Sequence, residues 1–556
     1  MSTVTRPRTT TPNVVDRLYR GTSPSQPPGD DGRRVVLRRR GALAAAGVAV
    51  LISIVAVLLL SGSGAVPPAT GAAQVVPADV LAYVHLSTDP SRPAVRQAEA
   101  VARRFPGYSL AYAAVINRLG AMVGGSSSTD LAAAARGWLG DEAALAVLDT
   151  PGVSAPSLLV LDVKHAAPAR LFVARAGASA VGTYGGVRIL RYPSGTELAF
   201  VRHYLVVGTD AGVRGAISAS TGRGRSLADD AAYRRASAGE PADRVLDAYV
   251  PVAGVRRLLE PRGGVAGAIA VLLDRPGLRG TAISVSGEPG GADVWLHSAL
   301  AGRSHPVSFT PTLGSVLPMG STLMLDVAGL DRAAPQLLRA AATAGFAGNV
   351  GPLLARLGAA LTTEGVNVHQ IDSLFAGETA VALTPGPSPS LLIVARTSNK
   401  AATRNELAAL EGPLTALFPA PASGPGQISG LGDQQVGGVT VHELGLGSGL
   451  QVDYAVFDGL VVVSTSVRAI DEVVSRGRSL AGERAYENAL PSQPAKPSSL
   501  LFTDFSQLLS LGGQTGLTSG ARVRELLPDL AKLRAIGLSS TSGESDTTTE
   551  LRLEIP

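Results

Sequence analysis

The chain has 556 residues, no cysteine, 4% aromatic residues and a formal charge of +5. The missing cysteine excludes disulfides, thiol chemistry, a lipoprotein anchor and any Cys-ligated zinc or iron–sulfur site. The first 40 residues hold nine Arg and three Asp, a net +6 that leaves −1 for everything after them, so the basic balance gives no reason to expect nucleic-acid binding.

Residues 1–40 are rich in Thr, Pro, Ser, Gly and charge and read as a disordered basic tail. Residues 41–61 (GALAAAGVAVLISIVAVLLLS) form an uncharged run directly behind Arg38-Arg39-Arg40. A spanning helix needs about 20 apolar residues, and flanking arginines stay on the cytoplasmic side. The expectation is therefore an uncleaved transmembrane signal anchor in the plasma membrane, with the N-terminus cytoplasmic and the bulk of the chain extracytoplasmic. A Pro/Ala/Gly spacer covers 62–74.

From residue 75 onward the pattern is mixed. Short β-type runs at 144–148, 157–163, 187–192, 197–201, 204–208 and 244–251 read as strands. Helical patterns fall at 96–104, 110–119, 167–175 and 211–220, and later at 331–342, 350–361 and 400–417. Asp458-Gly459 between two apolar runs predicts a hairpin turn, with Arg202-His203 as its earlier counterpart.

An internal repeat organises these elements. Residues 222–236 (GRGRSLADDAAYRRA) recur as 475–489 (SRGRSLAGERAYENA) at an offset of 253. Residues 199–209 match 455–465 and residues 282–288 match 538–544, both at 256. Pro77 to Val84 parallels Pro318 to Leu325, and Gly140-Asp141-Glu142 parallels Gly377-Glu378 with one residue fewer. The expected fold class is α+β: two tandem homologous domains, 75–302 and 313–556, joined by 303–312 and standing behind one N-terminal transmembrane helix. Each is expected to be a mainly antiparallel sheet with one face covered by helices.

Several of these segments resemble a bacterial family catalogued as domain of unknown function 3352. They are the 76–84 opening VPADVLAYV, the Gly140-Asp141-Glu142 strand start, and Ser226-Leu227-Ala228-Asp229 before Tyr233. Repeat copies stand at Leu317-Pro318, Gly377-Glu378 and Ser479-Leu480-Ala481, with Met319-Gly320-Ser321 departing from the opening pattern. The resemblance covers about 75–556. It implies a membrane-anchored or secreted envelope protein and brings no activity or catalytic residue with it.

The chemistry-bearing residues are few. Arg223, Arg225, Ser226 and their copies Arg476, Arg478, Ser479 are candidate anion-binding loops, since paired guanidinium groups grip phosphate or carboxylate. The competing reading is a helix-entry loop in which Ser226 caps, Asp229 completes a capping box and Leu227 is a buried anchor. Asp141 and Glu142 are adjacent on a strand, so they point to opposite faces and read as a solvated strand start. The seven His (85, 165, 203, 297, 305, 369, 442) are scattered singly, without metal-ligand spacing, and read as surface or structural. The string Gly445-Leu446-Gly447-Ser448-Gly449 lacks a following helix, and neither a Walker lysine nor a G-x-S-x-G elbow occurs. The expectation is a non-enzymatic protein without cofactor or metal, which binds or scaffolds an envelope protein. The alternative is a carrier or sensor for a lipid or other apolar envelope ligand.

Overall fold

A computed structural model describes residues 67–109, 137–149, 157–344, 363 and 374–556, apart from 263, 289, 303–305, 385, 387–388, 418–430, 446–450 and 515–520. The tail and apolar run at 1–61 lie outside the described residues, as do the helical patterns at 110–119 and 350–361 and most of the 445–449 glycine string. Among the described residues no helix is long and apolar enough to cross a membrane.

Among the described residues the first half supplies ten strands. They are β1 (Val80–Ser87), β2 (Leu139–Leu148), β3 (Ser157–Val163), β4 (Ser179–Tyr184) and β5 (Val187–Arg191), then β6 (Glu197–Val201), β7 (Tyr204–Gly208), β8 (Leu246–Pro251), β9 (Leu278–Glu288) and β10 (Gly291–Leu300). The second half supplies β11 (Leu323–Ala328), β12 (Glu378–Thr384), β13 (Ser390–Arg396), β14 (Leu431–Val436) and β15 (Val439–Gly445). It ends with β16 (Gln451–Phe457), β17 (Leu460–Ser464), β18 (Ser499–Asp504), β19 (Ala535–Ser542) and β20 (Asp546–Glu554). Across the first half the order is 4-5-6-7-3-2-1-8-9-10, and across the second it is 14-15-16-17-13-12-11-18-19-20, antiparallel throughout. β10 pairs with β20, so the halves share one open 20-stranded sheet.

The register fixes which residues correspond. A bridge joins Pro77 to Ser226 and another joins Pro318 to Ser479, so both repeat motifs meet in the same way. Tyr83 faces Tyr249 as Met324 faces Phe502, and Ala282 then matches Gly537 rather than Leu538. The 282–288 alignment is thus corrected by one residue, a slip that would turn every side chain of the strand to the other face. With that register, Trp295 and Glu550 are equivalent positions, and they are also direct partners across β10 and β20. A local two-fold axis passes through this pair.

Helices cover both faces rather than one. On one face α3 (Asp210–Ser220) and α4 (Ala231–Ala236) pack Val213, Ala216, Ile217 and Ala236 against Tyr83, Val206 and Tyr249. On the other, α1 (Pro93–Ala102) places Val101 against Val84, Leu246 and Ala248, while α2 (Ala166–Arg175) places Val173 against Leu159 and Leu205. Side chains alternate along a strand, so these apolar neighbours serve opposite layers. That explains why β7 reads as one continuous buried run. Each fully buried Val or Leu contributes about 1.5–3 kcal/mol.

The hairpins at 202–203 and 458–459 each open on a residue with positive φ, Arg202 (55°) and Asp458 (45°), and only the second continues with another, Gly459 (75°). Such conformers match the twist of two-residue hairpins. The halves also interlock through helices. The Gln336 side-chain amide of α6 (Leu330–Ala344) donates to the Val271 carbonyl of α5 (Gly264–Leu273), at 2.9 Å. Reciprocally, the Gly107 N–H beyond α1 donates to Asp529 of α11 (Ala521–Leu530), at 2.8 Å. Between them in chain order lie α7 (Lys400–Leu417), α8 (Val467–Val474), α9 (Arg484–Ala489) and α10 (Phe505–Gln514).

Candidate functional site

The duplicated loops enter short helical turns. Ser226 donates its hydroxyl to Asp229 at 2.7 Å, and a capping box forms there as the spacing predicts. Leu227 and Leu480 are fully buried anchors. The four arginines lie exposed: Arg225 reaches Asp230 at 3.5 Å and Arg476 reaches Asp458 at 2.6 Å. In the second loop Ser479 makes no side-chain cap bond.

Glu142 is not a solvated strand start. It is 2% exposed, while neighbouring Asp141 is exposed, so the two carboxylates do point to opposite faces. Glu142 accepts bonds from the Tyr204 hydroxyl (2.5 Å), the Ala72 N–H (3.2 Å) and His85 Nε2 (3.1 Å). His85, with no exposed surface, donates through Nδ1 to Asp247 at 2.9 Å. Arg244 Nε then lies 3.2 Å from Asp247 and 3.1 Å from Glu240. Burial alone would lower the His85 pKa, but Asp247 and Glu142 outweigh it and lift it to about 10. Burial raises both flanking carboxyls, yet His85 and the other donors hold Glu142 and Asp247 below their ordinary values. Glu240 is pushed up to about 8 by burial and by Asp247, against Arg244. The cluster thus sets His85 and Arg244 against the carboxyl groups of Glu142, Asp247 and Glu240. It clamps β1, β2 and β8 together and caps the 3-10 turn Gly71–Gln74.

The second half keeps the cap and loses the cation. Glu378 accepts the Thr312 N–H (2.5 Å), the Thr312 hydroxyl (2.5 Å) and the Leu313 N–H (2.9 Å). The position equivalent to His85 is Asp326, fully buried with neither oxygen hydrogen-bonded. Leu500 stands where Asp247 stands in the first half. Burial, then the neighbouring Glu378, pushes Asp326 up to about 8.

The accessible site is a groove of about 320 Å³ over the two-fold axis, contributed by both halves. Its floor is Trp295, Asp293, Glu550 and Arg552 on β10 and β20, and its walls are the segments following α4 and α9. Arg552 Nη1 lies 3.2 Å from Asp293, and Glu288 and Asp243 complete an acidic surround. Burial, opposed by Arg552 and reinforced by Glu288, Asp243 and Glu550, lifts Asp293 to about 6. Trp295 stacks on His297 at 5.3 Å, and His297 is held by the Ala236 carbonyl at 2.8 Å. A smaller cavity of about 290 Å³ lies beside Thr312, Tyr486 and Gln493. Among the described residues no three His, Cys, Asp or Glu side chains are grouped to hold a metal ion.

The sequence profile of a family described as "Protein of unknown function (DUF3352)" matches residues 42–555. The chain belongs to that family. No curated protein matches this DUF3352 chain. Among solved structures it is similar to three crystal forms of TP0453. Form IV shows 14% identity over 41% of this chain and 83% of that one, with a TM-score of 0.24. Form III gives 12% identity, 42% and 80% coverage and a TM-score of 0.24. Form I gives 13% identity, 43% and 81% coverage and a TM-score of 0.25.

The sequence pattern did not single out His85, Arg244, Asp247, Asp326 or any groove residue. His85 and Asp247 are 162 residues apart and meet only because β1 pairs with β8. The one usable signal was Glu142, whose copy Glu378 survives in the repeat while Asp141 has none.

Proposed function

We propose that this protein is a non-enzymatic binding or scaffolding component of the bacterial envelope, made of two duplicated α+β domains. The 41–61 run holds it in the plasma membrane with residues 1–40 inside. The observation that carries the binding reading is the groove on the two-fold axis, which neither half forms alone. Its charge balance (Asp243, Glu288, Asp293 and Glu550 against Arg552) and the Trp295 ring favour a cationic group, such as a Lys or Arg side chain of a partner protein. The buried His85 cluster supports the scaffold reading, since His85 itself has no exposed surface and Glu142 and Asp247 are almost wholly buried. The lipid-carrier alternative gains no support from two open, partly polar cavities of about 290 and 320 Å³.

The test uses one of the two tryptophans. Trp138 is buried and Trp295 lines the groove, so Trp138→Phe leaves a single reporter. Hexalysine added to the detergent-solubilised full chain should shift Trp295 emission saturably, and Asp293→Asn with Glu550→Gln should abolish the shift. An unchanged spectrum at millimolar peptide would refute the groove as a cation site. A protease-cleavable tag at Pro556, accessible only from outside intact cells, is the expected outcome for topology.

A further inference from the structure

The two outermost strands of the sheet are β4 and β14, and each has one neighbour, β5 and β15 respectively. They are equivalent strands, so each half ends in the same hairpin. A strand edge of this kind presents unpaired N–H and C=O groups, and proteins usually blunt it with charge, proline or a cover. β4 (SAVGTY) carries neither charge nor proline, and Ser179 to Thr183 are all exposed, Val181 at 44%. A bulge between Ala180 and Gly182 leaves Gly182, Thr183 and Tyr184 in regular register with β5. β14 pairs regularly along its whole length, and Asp433, Gln434 and Gln435 on it are exposed. Among the described residues nothing pairs with the outer side of either strand.

The two ends have diverged in charge. Residues 166–191, covering α2, β4 and β5, contain Arg170, Arg175, Arg188 and Arg191 and no acidic residue. All four arginines are exposed, with Arg191 paired to Glu197. The equivalent stretch, 400–445, contains Lys400 and Arg404 against Glu406, Glu411, Asp433 and Glu443, and its β14–β15 hairpin holds only the last two. One end is +4 and the other −2. Direction agrees as well: an even number of antiparallel strands makes β4 and β14 run oppositely, so a β14 edge placed beside β4 continues the antiparallel ladder.

We propose that the β4 edge docks on the β14 edge of a second copy of this chain, head to tail, extending the sheet from one molecule into the next. Such a heterologous contact leaves an edge free at each end of a pair, so it extends into an array unless its rotation closes a ring. Only a few ladder rungs and exposed charges hold it, so it is weak in dilute solution and sensitive to salt.

The chain has no native cysteine, which makes cross-linking specific. Full-length chains carrying Thr183→Cys and, separately, Gln434→Cys are purified in detergent, mixed and treated with a flexible bismaleimide. Within one chain the two positions are separated by the whole sheet, about 90 Å along its surface at ~4.8 Å per strand, so an adduct reports contact between chains. The mixture should give covalent dimers about fivefold or more above either variant alone, and 1 M salt, where the Debye length is about 3 Å, should remove most of that excess. Arg188→Glu on the Thr183→Cys chain should suppress the adduct, and Asp433→Arg on its partner should restore it. Equal cross-linking in the single-variant samples, showing like-with-like pairing, overturns the proposal. So does a mixture with no chain-to-chain adduct, including one in which Thr183→Cys captures only other envelope proteins. Both positions are exposed, and an unchanged melting temperature confirms that the variants fold.

Discussion

His85 in β1 and Asp326 in β11 fill the same position in the two halves, yet one is a buried cation and the other a buried acid. Each lies next to the glutamate that caps a 3-10 turn, Glu142 or Glu378. The first half satisfies its glutamate with a charged partner, and the second leaves two acids side by side. Opposite responses to pH follow from this.

His85→Ala should destabilise the chain by about 3–5 kcal/mol, because it leaves Glu142 and Asp247 buried without their shared cation. The His85 pKa rises from 6.5 to about 10 on folding, so its contribution is fully present below pH 6.5 and is lost as pH rises towards 10. Melting temperatures of the parent should fall across that window, and those of His85→Gln should fall less steeply. Parallel curves would sink the assignment.

Asp326→Asn should have the reverse sign and stabilise the protein. A carboxyl whose pKa climbs from 3.8 to about 8 on folding favours the folded state below pH 4 and costs stability progressively as pH rises towards 8. The asparagine keeps the size and removes the ionisation. Its gain should be on the order of 1–3 kcal/mol at pH 8 and vanish near pH 4, measured by denaturant titration at both values.

Gly254→Ala tests the packing of the helical turn after β8. A Cβ there would stand 1.8 Å from the Leu81 carbonyl oxygen, a backbone atom that cannot swing away. The loss should exceed about 3 kcal/mol, as strained overpacking does at its upper end. At Gly186 a Cβ would meet no atom within 4 Å, and only the left-handed φ of 83° opposes it, so Gly186→Ala should cost about 1–2 kcal/mol. Thermal melts of both variants check the contrast.

Hexalysine binding at the groove should weaken in acid. Asp293 titrates at about 6, so the groove loses a negative charge as pH falls through that value. Affinity from Trp295 emission should drop several-fold between pH 7.5 and pH 5. Equal affinity at both would argue against Asp293 as a contact.

Much of the fold was legible in local pattern. The strands at 157–163, 197–201 and 204–208 appear with those bounds, and the 458–459 turn forms as its residues suggest. The repeat was legible because Arg-Gly-Arg-Ser-Leu-Ala keeps its spacing in a single loop. Helices on both faces were not, because a strand buried on two sides shows no alternation to say which side is covered. The groove was hidden for a different reason. Its residues come from six separated segments, and Trp295 meets Glu550 only through the pairing of β10 with β20. The register of 282–288 missed by one because Ser286-Gly287-Glu288 and Ser542-Gly543-Glu544 match as letters, while the ladder counts hydrogen bonds.

The pairing of β10 with β20 bears on how such a molecule arises. A lone half ending in that strand would present a self-complementary edge, and two copies would close around the same axis as a homodimer. Joining them in one chain turns a concentration-dependent encounter into an intramolecular one, with effective concentrations that reach about the millimolar range for short linkers in general. Once the halves travel together, the two sides of the axis are free to differ. Within one chain positions 295 and 550 need not be identical, and the crevice carries a tryptophan on one side of the axis and a carboxylate on the other.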